Sequence, residues 1–250
     1  MLDETTHTVT AADAAPNSNI KVACGYVLQE RLGAGSFATV YKGIRLAEYQ
    51  QAINDGSKTK SIPPSSIAAI KAISRSSKKL TKKVLENLDL EIAILRTYRH
   101  PNIVCLHEVQ KTDRHFYLVL EYCGGGDLQR LIRTRQKGRL SERLCRRLVR
   151  DLAAGLGFLW GKEIVHRDIK PQNLLLTGPL PAEELVENPP REDAKRALQN
   201  MTGERFQLKI AGKFVVTTLV YIPYMSTSHT SFINQLHRFW FCQAFIKRTR

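Results

Sequence analysis

The spacing of apolar positions divides this chain into short ordered stretches separated by polar turns. Residues 26–32 and 39–45 alternate around a glycine turn and read as two strands. Residues 67–73 form a third short apolar run, and 103–109 and 116–122 two more, separated by the polar turn 111–115. These predict a five-stranded antiparallel sheet. Residues 80–97 carry apolar positions at helical spacing, most strongly over 85–95. Two further helices are expected at 128–135, with Asp127 placed to cap it, and at 141–160. The last carries Leu144, Leu148, Leu152, Leu156 and Leu159 at helical spacing. That stripe predicts a core-facing side, with the many arginines on the other.

The stretches between these elements are also informative. Residues 1–20 are polar, alanine-rich and aperiodic, the composition of a disordered terminus. Gly56, Ser57, Pro63, Pro64 and Ser65 mark 46–66 as a surface insertion. Residues 177–206 form a second insertion, and 212–250 a basic tail with no convincing period. Strands followed by helices predict an α+β fold, with a sheet-based part over 21–123 and a helical part over 124–211.

Composition narrows this only slightly. The 250 residues, 43% hydrophobic, support one bilobed domain or two small ones. The five cysteines (Cys24, Cys105, Cys123, Cys145 and Cys242) show no paired spacing for zinc or redox work and read as reduced thiols. The acidic, polar N-terminus gives no sign of a signal peptide. No apolar run reaches the ~18 residues of a membrane span, and the longest, 214–225, contains Pro223. The net charge of +15 is spread over 78–83, 130–150 and the C-terminus without interleaved aromatics. It reads as a solvated basic surface rather than a nucleic-acid site.

The candidate chemistry lies in His166-Arg167-Asp168-Ile169-Lys170-Pro171-Gln172-Asn173. A carboxylate with a lysine two residues on and an amide five residues on resembles the catalytic loop of protein kinases. Leu32, Gly33, Ala34, Gly35, Ser36, Phe37, Ala38, Thr39 and Val40 resemble the glycine-rich loop, with Ala38 in place of its third glycine. Ala68-Ala69-Ile70-Lys71 resembles the lysine-bearing strand. Glu91 stands nine residues before His100-Pro101-Asn102-Ile103-Val104, where the partner of Lys71 is expected, with Glu86 and Asp89 as nearby alternatives.

Residues 26–211 thus resemble the serine/threonine protein kinases, the group in which a lysine stands at the position of Lys170. Within them, the closest likeness is to the autophagy-initiating (ULK-like) kinases. It rests on the segment from Leu80 through Leu88 with Glu91-Ile92, on Leu118-Val119-Leu120-Glu121-Tyr122-Cys123-Gly124-Gly125-Gly126-Asp127-Leu128, and on Leu208-Lys209-Ile210-Ala211. The resemblance implies a bilobed kinase fold that uses ATP and Mg²⁺ to phosphorylate serine or threonine hydroxyls of protein substrates. It gives Asp168 the substrate hydroxyl proton, Lys170 the transferring phosphoryl, and Asn173 the metal. Lys71, ordered by Glu91, would hold the α/β-phosphates under the glycine-rich loop. Val40, Ala69 and Leu175 would sandwich the adenine, beside a gatekeeper Leu120 and hinge backbone groups of Glu121 and Cys123. The resemblance also implies a cytoplasmic protein recruited to autophagosome-forming membranes, with autophagy regulatory subunits as partners. The tail's Phe239-Trp240-Phe241 with Lys247, Arg248 and Arg250 would offer a peripheral contact to an anionic membrane.

One departure is sharp. Where the family continues Asp-Phe-Gly, this chain continues Gly212-Lys213-Phe214-Val215-Val216, and no Asp or Glu occurs from Gly212 to Arg250. The family's activation loop, its Ala-Pro-Glu segment and its later helices have no counterpart there. Asn173 is left as the one clear metal ligand, and catalysis comes into question. Exposure of the leucine-striped helix is expected, and with it a tendency to aggregate. Two accounts follow: a kinase, or a nucleotide- or partner-binding module without turnover. Gly-Lys-Phe can also be encoded GGT-AAG-TTT, which contains GTAAGT, a usual intron start. On that account the tail is intron read-through, and splicing restores Asp-Phe-Gly.

Overall fold

A computed structural model describes residues 20–35, 38–56, 62–135, 140–178, 180, 206–212 and 215–216. The disordered-terminus, second-insertion and tail expectations for 1–19, 181–205 and 217–250 lie outside the described residues, as do Ser36 and Phe37 of the glycine-rich loop.

The N-terminal part is an antiparallel sheet of β1 (Val22–Ala23), β2 (Tyr26–Ala34), β3 (Ala38–Arg45), β4 (Ile67–Ser74), β5 (Leu106–Lys111) and β6 (His115–Glu121). Their order across the sheet is β1-β2-β3-β4-β6-β5. The sheet therefore has six strands rather than the expected five. The extra strand exists because Cys24 and Gly25, both at positive φ (54° and 71°), fold Val22–Ala23 back onto Tyr26–Val27.

The insertion at 46–66 needs a larger correction. Its first half is a helix, α1 (Leu46–Asn54), directly continuing β3. Ala52 is buried with Ile44 and Ile62, and Tyr49 packs against them. Ser66 Oγ donates to Glu48 Oε1 at 3.0 Å, which ties the far end of the insertion to this helix. The glycine, serine and proline signals all fall after residue 55, so they mark only the return path.

Helix α2 (Lys82–Thr97) crosses one face of the sheet. Thr81 caps it by accepting from the Val84 N–H. Leu88, Glu91, Ile92 and Leu95 are buried, a stripe at i, i+3, i+4 and i+7 with one carboxylate inside it. Ile73 and Leu118 of the sheet join these side chains in the main core, while Ala68, Ile70 and Val119 form a smaller cluster on the opposite face.

The second part contains β7 (Gly126–Asp127), α3 (Leu128–Thr134), α4 (Glu142–Trp160), β8 (Ile164–Val165), β9 (Leu174–Leu176), β10 (Leu208–Ile210) and β11 (Val215–Val216). Asp127 caps α3 as its sequence position suggests, and Ser141, expected as the first residue of the next helix, caps α4 instead. Burial of the α4 stripe contradicts the expected exposure. Leu144, Leu148, Leu152 and Leu159 are between 1% and 6% exposed. The β9–β10 hairpin, Leu180 and Phe206 share their core. Leu156 is only partly buried, and its place on the stripe is taken by Gly155. A Cβ at 155 would stand 2.7 Å from Ile210 Cδ1 and 3.0 Å from Asn102 O, so glycine lets α4 approach β10 closely. Among the described residues, large exposed hydrophobics are scattered (Ile20, Val22, Leu32, Ile53 and Trp160) and form no patch along α4. No described helix is long and apolar enough to cross a membrane.

Candidate active site

The site forms between the two parts. Strand register aligns its upper wall: Val40 pairs with Lys71, Lys71 with Leu118, and Ala69 with Leu120. Directly paired residues share a face, as do residues two apart, so Val40, Ala69, Lys71 and Leu120 face the same side. The β2–β3 turn is closed by Gly35 N–H donating to Ala38 O at 2.8 Å, with Gly33 opposite Val40 and Ala34 opposite Thr39.

Lys71 Nζ donates to Glu91 Oε1 at 2.8 Å, and both side chains are largely buried. Of the three acids weighed on this helix, Glu91 alone reaches the lysine. Asp89 instead faces Lys111 at 3.7 Å. The helix periodicity settles this, because residue 91 lies on the buried stripe and 89 does not.

The lower wall is the segment from β8 to β9. Arg167 has a positive φ of 55°, which turns the chain so that Asp168 N–H reaches back to His166, with O at 2.8 Å and Nδ1 at 3.3 Å. His166 Nε2 lies 3.0 Å from Ala211 O. A neutral imidazole with its proton on Nε2 satisfies both contacts, donating to Ala211 and accepting from Asp168. Burial pushes the His166 pKa below its ordinary value, outweighing the opposing hydrogen bond to Ala211, and so favours this form.

Asp168, Lys170 and Asn173 come together as the sequence suggests. Lys170 Nζ lies 2.9 Å from Asp168 Oδ2, and Asn173 Nδ2 donates to Asp168 O at 2.7 Å and to Oδ2 at 2.9 Å. The hydrogen bond from Lys170 holds the Asp168 carboxyl below the usual carboxylate range. Leu175 alternates with Leu174 and Leu176, which are 1% exposed, and so faces the opposite side as the floor.

At the hinge, Glu121 N–H donates to Cys105 O at 2.8 Å, and Cys123 O accepts from Gly126 N–H at 3.2 Å. The adenine reading therefore requires the opposite groups, Glu121 C=O and Cys123 N–H. Burial pushes the Cys123 thiol up to about 12, which keeps it uncharged.

Sequence reasoning missed several supports. Lys209 on β10 is 8% exposed, and its Nζ lies 2.8 Å from Glu121 Oε1. The other Glu121 oxygen accepts from Cys105 N–H at 3.2 Å. Asn102, also buried, donates to Leu208 O at 2.9 Å and accepts from Ile210 N–H at 2.8 Å. Asp151 on α4 accepts from Leu208 N–H at 2.9 Å. All three hold β10, the strand that delivers Ala211 and Gly212. For Lys209 the signal was a charged side chain between Leu208 and Ile210 of an apolar strand.

The groups expected to hold ATP fit that role: a buried lysine–carboxylate pair, a glycine turn and an apolar sandwich. Those for Mg²⁺ do not. The metal demands near-octahedral oxygen coordination, usually through one or two carboxylates. Gly212 offers no side chain, Asp168 Oδ2 is already held by Lys170 Nζ and Asn173 Nδ2, and Asn173 itself supplies one amide oxygen. Among the described residues, no group of three or more His, Cys, Asp or Glu could hold a metal ion.

Comparison with known proteins agrees with this geometry. The protein kinase domain family matches residues 26–180. The serine/threonine-protein kinase ULK3 of Xenopus laevis is 41% identical over 152 residues, covering 61% of this chain and 28% of its own length. ULK3 of Mus musculus is 38% identical over 164 residues, covering 66% of this chain and 31% of its own. The serine/threonine-protein kinase ATG1 of Saccharomyces cerevisiae (strain ATCC 204508 / S288c) is 37% identical over 187 residues, covering 66% of this chain and 19% of its own. The chain thus spans less than a third of the length of these relatives. With the family match covering more than half of its residues, the chain belongs to the protein kinase family.

Proposed function

We propose that the chain carries the ATP site and the substrate-orienting loop of a serine/threonine protein kinase that acts in starting autophagy. The Lys71–Glu91 pair is the observation that carries this reading, because a buried ammonium held by one carboxylate is a prepared phosphate site. Lys71 grips the α/β-phosphates beneath the Gly33–Gly35 turn. Val40, Ala69 and Leu120 above and Leu175 below enclose the adenine. Asp168 stays ionised beside Lys170, so it can accept a hydrogen bond from a serine or threonine hydroxyl and take its proton. Lys170 lies where it can stabilise the phosphoryl group. The likeness to ULK3 and ATG1 kinases supports the autophagy role, protein substrates, regulatory subunits and recruitment to autophagosome-forming membranes.

A second reading rests on Gly212. With no carboxylate at the end of β10, the chain holds nucleotide or a partner without turning it over. A phosphotransfer assay with a serine/threonine peptide separates the two. Transfer that disappears in Asp168→Asn supports the kinase; equal signal in both proteins leaves only the binding module.

A further inference from the structure

The metal side of this site is closed by the chain's own charges. Ala211 is fixed from both ends, its N–H donating to Asn173 O at 2.9 Å and its carbonyl oxygen lying 3.0 Å from His166 Nε2. The next residue is Gly212, at φ +119°. A Cβ built there would stand 3.3 Å from Cγ and Nδ2 of Asn173 and 3.3 Å from Cε1 of His166. Position 212 is thus where a side chain would project beside Asn173, and this chain places none there. Its backbone conformation is also one that L side chains rarely adopt.

The remaining polar groups are matched to each other. Lys170 Nζ and Asn173 Nδ2 both lie 2.9 Å from Asp168 Oδ2, so an ammonium already supplies positive charge at this carboxylate. Residues 212–250 contain five lysines and arginines and no acid, so this segment brings no replacement carboxylate. The nucleotide side, by contrast, keeps its Lys71–Glu91 pair and its apolar walls.

We propose that this site binds ATP without a divalent cation, with Lys71 and Lys170 supplying the positive charge that faces the phosphates. The proposal rests on the nucleotide site of the preceding section and adds its metal-independence. Free and Mg²⁺-bound ATP carry different charge. The one carboxylate beside Asn173, that of Asp168, is already paired with Lys170, so a cation meets an ammonium where it would need a free acid.

Isothermal titration of the purified chain with ATP tests this, once in EDTA and once in millimolar Mg²⁺. The expected Kd is the same within about twofold in both, or weaker with Mg²⁺. In EDTA, Lys170→Met should weaken ATP by about tenfold while leaving adenosine unchanged, which a general loss of fold would not do. Circular dichroism of the variant accompanies that titration. Binding at least about tenfold tighter with Mg²⁺ would overturn the proposal while leaving the nucleotide site intact. An equal effect of Lys170→Met on ATP and adenosine would overturn the assigned role of Lys170. Absence of ATP binding under both conditions would overturn the nucleotide site itself, and this proposal with it.

Discussion

Removing Lys209 isolates the contribution of a buried charge that touches no expected ligand atom. Its Nζ is 2.8 Å from Glu121 Oε1, with side-chain exposures of 10% and 26%. Breaking a fully buried pair by deleting one partner costs about 3–5 kcal/mol, because the remaining charge is stranded. Glu121 retains the Cys105 N–H at 3.2 Å and about a quarter of its exposure, so the cost of Lys209→Met should fall to roughly 2–3 kcal/mol. Removing both charges in Lys209→Met/Glu121→Leu strands no charge and leaves only the Cys105 N–H without its side-chain acceptor, so stability should return to within about 1 kcal/mol of the parent. Urea denaturation followed by circular dichroism measures each variant. ATP titration should show the single variant weakened more than the double, because the stranded carboxylate disturbs the hinge backbone. A loss below about 0.5 kcal/mol in Lys209→Met would place this ion pair with ordinary surface pairs. A double variant no better than the single would show that lost packing, not stranded charge, is responsible. Either result refutes the reasoning.

Other tests follow from the same contacts. Gly155→Ala inserts a methyl 2.7 Å from Ile210 Cδ1. Overpacking of about 1–3 kcal/mol less a helix-propensity gain of about 1 predicts a net loss of about 0–2 kcal/mol, read by thermal unfolding. His166 has a folded pKa below its unfolded value of 6.5, so the unfolded chain binds more protons between the two. Its contribution to stability is therefore complete above 6.5 and lost as pH falls from there toward the folded value. Denaturation midpoints across that range should fall with pH, and less steeply in His166→Asn; the residual slope belongs to His100, which burial shifts the same way. Sequencing of the gene should show GGT-AAG-TTT at codons 212–214 while the spliced transcript reads Asp-Phe-Gly from that point; a mature transcript that keeps GGT-AAG-TTT removes the intron account.

The parts of the site legible in the sequence are those with short spacing. Asp168, Lys170 and Asn173 lie within one turn-rich segment, so their order fixes their proximity. Glu91 was legible for a different reason: it stands nine residues before His100-Pro101-Asn102-Ile103-Val104, and the helix then places it on the buried face beside Lys71. The Lys209–Glu121 pair was not legible, because its two residues are far apart in the chain and meet only when β10 docks beneath the hinge. The first strand was hidden for a local reason. Its turn uses Cys24 at positive φ, a position that composition assigns to glycine or asparagine. Helix α1 was hidden because its apolar face is completed by Ile62, which lies beyond the helix. The burial of α4 was misjudged because the β9–β10 hairpin, whose strands are only three residues each, packs against the stripe.

ATP titration of the parent chain against Lys71→Met tests the central claim most directly, with Lys71 held by Glu91 at 2.8 Å as the phosphate-binding group. The account predicts saturable binding to the parent, weakened by at least about tenfold, or ~1.4 kcal/mol, in Lys71→Met. Equal affinity in the two proteins, or no binding to the parent, would contradict it.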